Sequence, residues 1–150
     1  MIKAKYYSRE LTRLDQLITY PADVVRLDPA KDDDLALLLA RYRPHWPEVT
    51  QEELLHIQPP WEYFAVIEGG KIISFAGAMH MAAENWEIAG VRTLPEYRGR
   101  GLAKGVCSAV ARHILEAGKR ATCATKRDNA AMRRVMDAIG MVAQHRRRGG

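Results

Sequence analysis

Apolar positions along the chain change period several times, and each change marks a predicted element. Asp23–Leu27 (D-V-V-R-L) is an apolar run of strand length. Asp32, Asp33 and Asp34 then offer N-caps to an apolar helix, Leu35–Tyr42, which Pro44 stops. Thr50 and Glu53 have capping-box spacing for a second short helix. Tyr63–Ile67 and Lys71–His80 read as two strands, joined by Gly69-Gly70 as a two-residue hairpin turn. After the polar break Ala83-Glu84-Asn85, Trp86–Thr93 predicts a third strand beside them. Leu102, Val106, Val110 and Ile114 recur every four residues, giving one apolar stripe on a helix that Gly118 ends. Ala121–Thr125 predicts a short strand. Met132, Val135, Met136 and Ile139 follow the i, i+3, i+4, i+7 pattern, with Asp128 as N-cap and Gly140 just past the end. Met141–His145 predicts a last strand.

The order is strand, two helices, three antiparallel strands, helix, strand, helix, strand. No repeat, low-complexity tract or linker interrupts it, so the expectation is one mixed α/β domain built on a central sheet. Residues 1–20 stand apart. Leu11, Leu14, Gln16 and Ile18 carry only weak helical spacing, so this stretch is taken as an N-terminal extension to a core spanning about 23–145.

Composition narrows the function. With 150 residues, 47% hydrophobic and 27% charged, the chain can bury a real core. Its net charge is +5, and Arg146, Arg147 and Arg148 lie together near the end. The body is therefore only mildly basic, which suits an anionic small ligand. Nucleic-acid binding is disfavoured, because the basic tail has no aromatic residues interleaved with it. Cys107 and Cys123 have no Cys or His at metal-ligand spacing, so no metal is expected and a reduced, cytoplasmic setting is. Met1–Glu10 is too polar for a secretory leader, and no apolar run reaches membrane-spanning length.

The chemistry concentrates in Thr93-Leu-Pro-Glu-Tyr-Arg-Gly-Arg-Gly-Leu-Ala103, which follows a predicted strand and opens a predicted helix. Gly99 and Gly101 free the backbone to curl and let a ligand approach it. A curled loop before a helix aims unpaired N–H groups at one point, and the helix adds partial positive charge there. Such a site suits a phosphate or pyrophosphate, and Arg98 and Arg100 add full charges. The glycine pattern lacks the third Gly of a dinucleotide fingerprint and the Gly-Lys-Ser/Thr ending of a P-loop.

At these residues the chain resembles the GNAT superfamily of N-acetyltransferases, whose pyrophosphate loop reads Arg/Gln-x-x-Gly-x-Gly/Ala. Arg98, Gly101 and Ala103 match it, within a Val91-x-Thr93-x-Pro95-x-Tyr97 context close to that family's, and Asp128-Asn129…Val135-Met136…Gly140-Met141 is similar to its next helix. The resemblance covers roughly Phe64 to Met141. It implies a GNAT-like fold, a central mixed and mostly antiparallel sheet flanked by helices, with strands splayed at an acyl-CoA site. Acetyl-CoA would be the co-substrate. Its pantetheine arm would hydrogen-bond to backbone at Val91 and Thr93, in a gap near Cys123. The backbone N–H groups of Arg98, Gly99, Arg100, Gly101, Leu102 and Ala103 would hold the pyrophosphate. Asn129 would touch the cofactor from the second helix, with Arg133 one turn on as a weaker candidate.

The implied activity is transfer of an acetyl group to a primary amine, by direct attack through a tetrahedral intermediate. Such an amine must lose a proton first, and a carboxylate in a partly apolar cleft can take it. Glu87 lies on the strand that ends in the loop and shares alternation parity with Ala89, Val91 and Thr93 if no bulge intervenes. Glu84, in the preceding turn, is the second candidate. Relatives often carry a tyrosine acid seven residues after the Asn, where this chain has Met136. Tyr97, Tyr42, or water would have to serve. His80 and the three tryptophans, Trp46, Trp61 and Trp86, are expected to be structural, as are both cysteines. An alternative function is a CoA-binding sensor or scaffold without catalysis. The resemblance also implies one more strand after Met141, where nine residues follow. That strand would be missing, removed from a longer protein, or supplied by a second copy in a homodimer paired near Val142.

Overall fold

The computed structural model describes residues 5–144. Seven strands make one sheet: β1 (Tyr6–Leu11), β2 (Val24–Leu27), β3 (Trp61–Glu68), β4 (Lys71–Met79), β5 (Asn85–Thr93), β6 (Arg120–Lys126) and β7 (Val142–Ala143). Their order across the sheet is β2-β3-β4-β5-β6-β1-β7. Every neighbouring pair is antiparallel except β5 and β6, which run parallel. The parallel pair needs a crossover, and the helix between them supplies it.

Four helices cover the faces: α1 (Asp32–Tyr42), α2 (Gln51–His56), α3 (Leu102–Glu116) and α4 (Ala130–Ala138). On one face the α3 stripe, with Val106, Val110 and Ile114 fully buried, packs with Met136 and Ile139 against Leu11, Ile88 and Cys123. On the other, Leu38 of α1 and Leu54 of α2 pack with Tyr63 and Phe75. The three aspartates are not caps: they fill the first turn of α1, where their charge meets the positive end of the helix, and Lys31 is the N-cap. The Thr50–Glu53 capping box forms as its spacing predicts. The cap of α4 is Asn129 rather than Asp128, its side chain accepting the Met132 N–H at 3.1 Å.

Residues 1–20 depart most from expectation. They include β1, which pairs antiparallel with β6 from Tyr6↔Lys126 to Leu11↔Ala121 and with β7 on its other side. Among the described residues of this stretch only Leu14–Gln16 forms a helical turn, and it is a short 3-10 one. Tyr7 and Leu11 are core residues, so this stretch is part of the sheet and not an appendage. Weak helical spacing lost because Tyr7, Leu11 and the half-buried positions between them gain a full strand ladder. The sheet therefore has no vacancy between β6 and β7. His145 and Arg146–Arg148 lie outside the described residues.

Candidate active site

Two irregularities in β5 create the site. On its β4 side the register shifts: Gly77 faces Ala89 and Phe75 faces Arg92, so β5 spends one extra residue opposite Ala76. This is a bulge, and Gly90 within it sits at φ +64, a conformation that glycine adopts without strain. On its β6 side, pairing covers only Asn85↔Arg120, Trp86↔Ala121 and Glu87↔Thr122. Beyond Glu87 the two parallel strands part, and the β6-facing backbone edge of residues 88–93 has no strand partner. Buried backbone groups need hydrogen-bond partners, so this edge is a ready template for an extended chain such as a pantetheine arm. Cys123 lies just past the last paired rung, where the gap was expected to open.

The bulge corrects one expectation. Glu87 and Ala89 stand opposite Met79 and Gly77, on the face that carries Phe75, α1 and α2. Val91 instead packs with the α3-side core, and the Thr93 hydroxyl meets Ser74 at 2.9 Å. The shared parity of Glu87 with Val91 and Thr93 is broken at Gly90. The carboxylate and the cofactor-side positions therefore sit on opposite faces of one strand.

The split opens into a cleft of about 810 Å³. Val91, Thr93, Arg98, Gly99, Gly101, Leu102, Ala103 and Asn129 line it together with Arg92, Tyr97, Lys104, Met132 and Arg134. Gly99 and Gly101 have φ +82 and +75, and Gly101 is the N-cap of α3. A Cβ built at either position meets no atom within 4 Å, so both glycines face open space before the helix. That cradle fits a diphosphate, and side chains there would intrude on it. Arg98 lines the cleft and steadies the loop by donating from Nε to the Thr93 carbonyl at 3.3 Å. The Arg100 side chain turns out of it: its guanidinium pairs with Glu68 at 3.3 Å. Arg133 also turns away, donating to the Arg127 carbonyl and lying over the Tyr7 ring.

Lys104 and Arg134 are cleft cations that the sequence reading passed over. A signal for Lys104 existed. The first turn of α3 carries no acidic residue and holds a lysine, whereas α1 opens with three aspartates. A cation at the positive end of a helix is unfavourable unless an anion joins it.

Glu87 is half-buried at the last rung before the strands part, and burial raises its carboxyl above the ordinary range. A raised carboxylate is a better proton acceptor. Glu84 is exposed in the turn before β5, outside the cleft. Trp61 shares a cross-strand row with Met79 and Glu87, and its ring presses on Gly77 and Gly90. Met136 is fully buried and Tyr42 packs against Trp46, Tyr63 and Phe75, which leaves Tyr97 as the tyrosine lining the cleft. Both cysteine thiols are buried. Burial, then the nearby Glu87 charge, pushes Cys123 up to about 12, and burial raises Cys107 well above normal, so neither is a ready nucleophile. His80 is stacked on Trp86 and bonded to Glu62, which also holds His113 and Arg26. This cluster lies on the α3 side, away from Glu87. Among the described residues no three potential ligands gather to hold a metal, and no helix is long and apolar enough to cross a membrane.

A mixed sheet split beside a glycine loop at a helix N-terminus defines an α/β fold with a slot for an extended, anionic ligand. The chain belongs to the acetyltransferase (GNAT) family, whose model matches residues 33–141. Solved structures agree on the fold. A GNAT-family acetyltransferase from Colwellia psychrerythraea is 18% identical with a TM-score of 0.66, covering 93% of this chain and 54% of its own. A protein described as a GNAT-family acetyltransferase from Novosphingobium aromaticivorans is 22% identical with a TM-score of 0.65, covering 93% and 59%. This chain thus spans little more than half the length of either. The aminoglycoside acetyltransferase AAC(6')-Iy, bound to a bisubstrate analogue of CoA and acetylneamine, is 24% identical with a TM-score of 0.61, covering 84% and 97%. No curated protein is similar enough to count as a relative.

Proposed function

We propose that this domain transfers an acetyl group from acetyl-CoA to a primary amine, with Glu87 as the base. The observation that carries this is the placement of a half-buried carboxylate of raised proton affinity on the last rung before β5 and β6 part. The neighbouring structures seen with CoA and an aminoglycoside support the donor and the amine class. Acetyl-CoA supplies the thioester when bound. The loop from Arg98 to Ala103 holds its pyrophosphate, with Lys104, Arg134 and Asn129 around it. The unpaired edge at Val91 and Thr93 orients the pantetheine arm, and the Thr93 carbonyl shares its capacity with Arg98.

The acceptor approaches from the Glu87 face. Its nitrogen lone pair attacks the thioester carbon and the C=O π pair moves onto oxygen; the tetrahedral intermediate then collapses, re-forming the carbonyl as the C–S bond breaks and its electron pair leaves on sulfur. The proton lost by nitrogen passes to Glu87, directly or through a water. Backbone near Val91 faces the carbonyl oxygen as charge develops on it. With Met136 buried, the departing thiolate takes its proton from Tyr97 or solvent. A second reading, a CoA-binding sensor without turnover, draws on that same Met136. The free thiols Cys107 and Cys123 suit a cytoplasmic location.

Thiol release from acetyl-CoA with a panel of amines tests the reaction. Glu87→Gln should lower kcat/KM by roughly 10²–10⁴-fold near neutrality and recover as pH rises, because alkali supplies the free amine without a base. The wild-type rate should fall as acid protonates Glu87, and the variant should lack that limb. An equal loss at every pH would make Glu87 a structural residue. CoA binding without thiol release for any amine would favour the sensor.

A further inference from the structure

The face of the sheet opposite α3 holds two arginines beside the bulge with nothing to neutralise them. Arg41, in the last turn of α1, lays its guanidinium over Phe75 at 4.6 Å and over Tyr42 at 5.0 Å. Its Nη2 is 3.4 Å from the Gly90 carbonyl oxygen. Its Nε is buried and has no hydrogen-bond partner. Arg92 stands directly opposite Phe75 in the ladder, exposed, and its charge reaches Arg41. Burial lowers the Arg41 pKa first; the Tyr42 phenol opposes this and the Arg92 charge adds to it. Among the described residues neither arginine forms an ion pair.

Packing alone does not call for this arrangement, since a Leu or Met would cover Phe75 without desolvating a charge. A buried N–H left unpaired is costly, and a like charge beside it adds to the cost. A planar anion resolves both: it accepts from the guanidinium edge and offsets two positive charges.

We propose that Arg41, assisted by Arg92, binds a carboxylate on the acceptor, which makes the acceptor a small primary amine with a carboxylate close to its amino group. This rests on amine acylation at the split. Gly90 immediately precedes Val91, where the acyl carbonyl would lie. An anion held by Arg41 is then within about two Cα spans, ~8 Å, of the reacting carbon. That ceiling admits α-, β- and γ-amino acids and is too short for a charge at the far end of a long chain. A polycationic amine would meet two uncompensated positive charges.

The test compares α-amino acids with their α-carboxamides as acceptors, at a pH where both are free amines, with saturating acetyl-CoA. The carboxylate member should have the higher kcat/KM, on the order of tenfold to a hundredfold, as a charge-assisted hydrogen bond implies. Arg41→Gln should collapse that ratio through KM and leave kcat and its pH profile in place, while Arg41→Lys keeps part of it. The thermal shift given by CoA should persist in Arg41→Gln, which separates loss of the anion site from misfolding. Carboxamides used as well as or better than carboxylates would overturn the proposal and leave amine acylation standing. Should neither series turn over while another amine does, the proposal is overturned and acylation stands; should no amine of any kind turn over, acylation itself fails. Calorimetric titration of the CoA-loaded protein with the same pairs then decides the anion site. Tighter carboxylate binding that vanishes in Arg41→Gln supports it, and equal binding of the two members overturns it.

Discussion

Replacing Gly77 by alanine should disturb the acceptor wall through one contact. The added Cβ would lie 2.4 Å from Trp61 Cε3 and 2.5 Å from Cζ3. Non-bonded carbons rest about 3.5–4.0 Å apart, so the indole must shift by roughly 1 Å. It has little room: it is stacked on Tyr63, and Gly90 lies against the same edge, where a Cβ would be 3.2 Å from Cζ3. Overpacking of this kind costs ~1–3 kcal/mol, and removing a strand glycine returns ~0.5–1 kcal/mol. Gly77→Ala should therefore lose about 1–2 kcal/mol, a fall in Tm of about 2–8 °C for a chain of this size. Trp61→Leu in the same background should relieve the clash, so a double-mutant cycle by chemical denaturation should return a coupling of ~1 kcal/mol or more. Because Trp61 lies in the row of Glu87, Gly77→Ala should also raise KM for the acceptor more than it lowers kcat. Additive effects of the two substitutions would show that the indole does not rest on Gly77 and would refute the reasoning.

Other outcomes follow from single features. Gly101→Val should abolish the thermal shift given by CoA, since the branched side chain would fill the cradle and also resist φ +75; a shift of wild-type size would place the phosphates elsewhere. Burial pushes the Glu62 carboxyl up, but hydrogen bonds from His80 and His113 and the charges of His113 and Arg26 outweigh it and hold it below normal. The stability it contributes is present above the ordinary glutamate pKa and lost as pH falls through the lowered one. Glu62→Gln should flatten that acid limb in denaturation curves, and an unchanged acid limb would assign it to other groups. Symmetric pairing of two copies along the exposed β7 edge at Val142 should show as a dimer in light scattering, and a strict monomer at high protein concentration and high salt would rule it out.

Elements with a strong internal period were legible from the sequence. The four-residue stripe of α3, the hairpin at Gly69-Gly70 and the capping box of α2 all appear where their spacing puts them. The glycine loop before α3 was legible because its geometry is local: two glycines and a helix start lie within a few residues of each other. What failed to show was non-local. β1 has no clean alternation of its own and becomes a strand only because β6 and β7 offer it two ladders. The β5 bulge comes from its register against β4, and one extra residue sends Glu87 and Val91 to opposite faces. Arg41 lies forty-nine residues from the Gly90 carbonyl it meets, and no sequence spacing announces that approach.

The placement of β1 also explains what holds the split open. Two parallel strands that pair for three rungs would ordinarily continue to zip, because each further rung satisfies backbone groups left open. Here each strand is held by its other neighbour. β4 keeps β5 in register as far as Thr93, past the bulge, while β1 keeps β6 in register as far as Lys126. For the gap to close, one of those ladders would have to give way, and the α3-side core anchors both, through Ile88 on β5 and Tyr7 and Leu11 on β1. Ala76 and Val91 lie on that same side, so the bulge is pinned from within the core and not by the loop it leads into. The strand furthest in sequence from the glycine loop thus helps to hold open the gap beside it. A preformed slot spares binding the cost of ordering it.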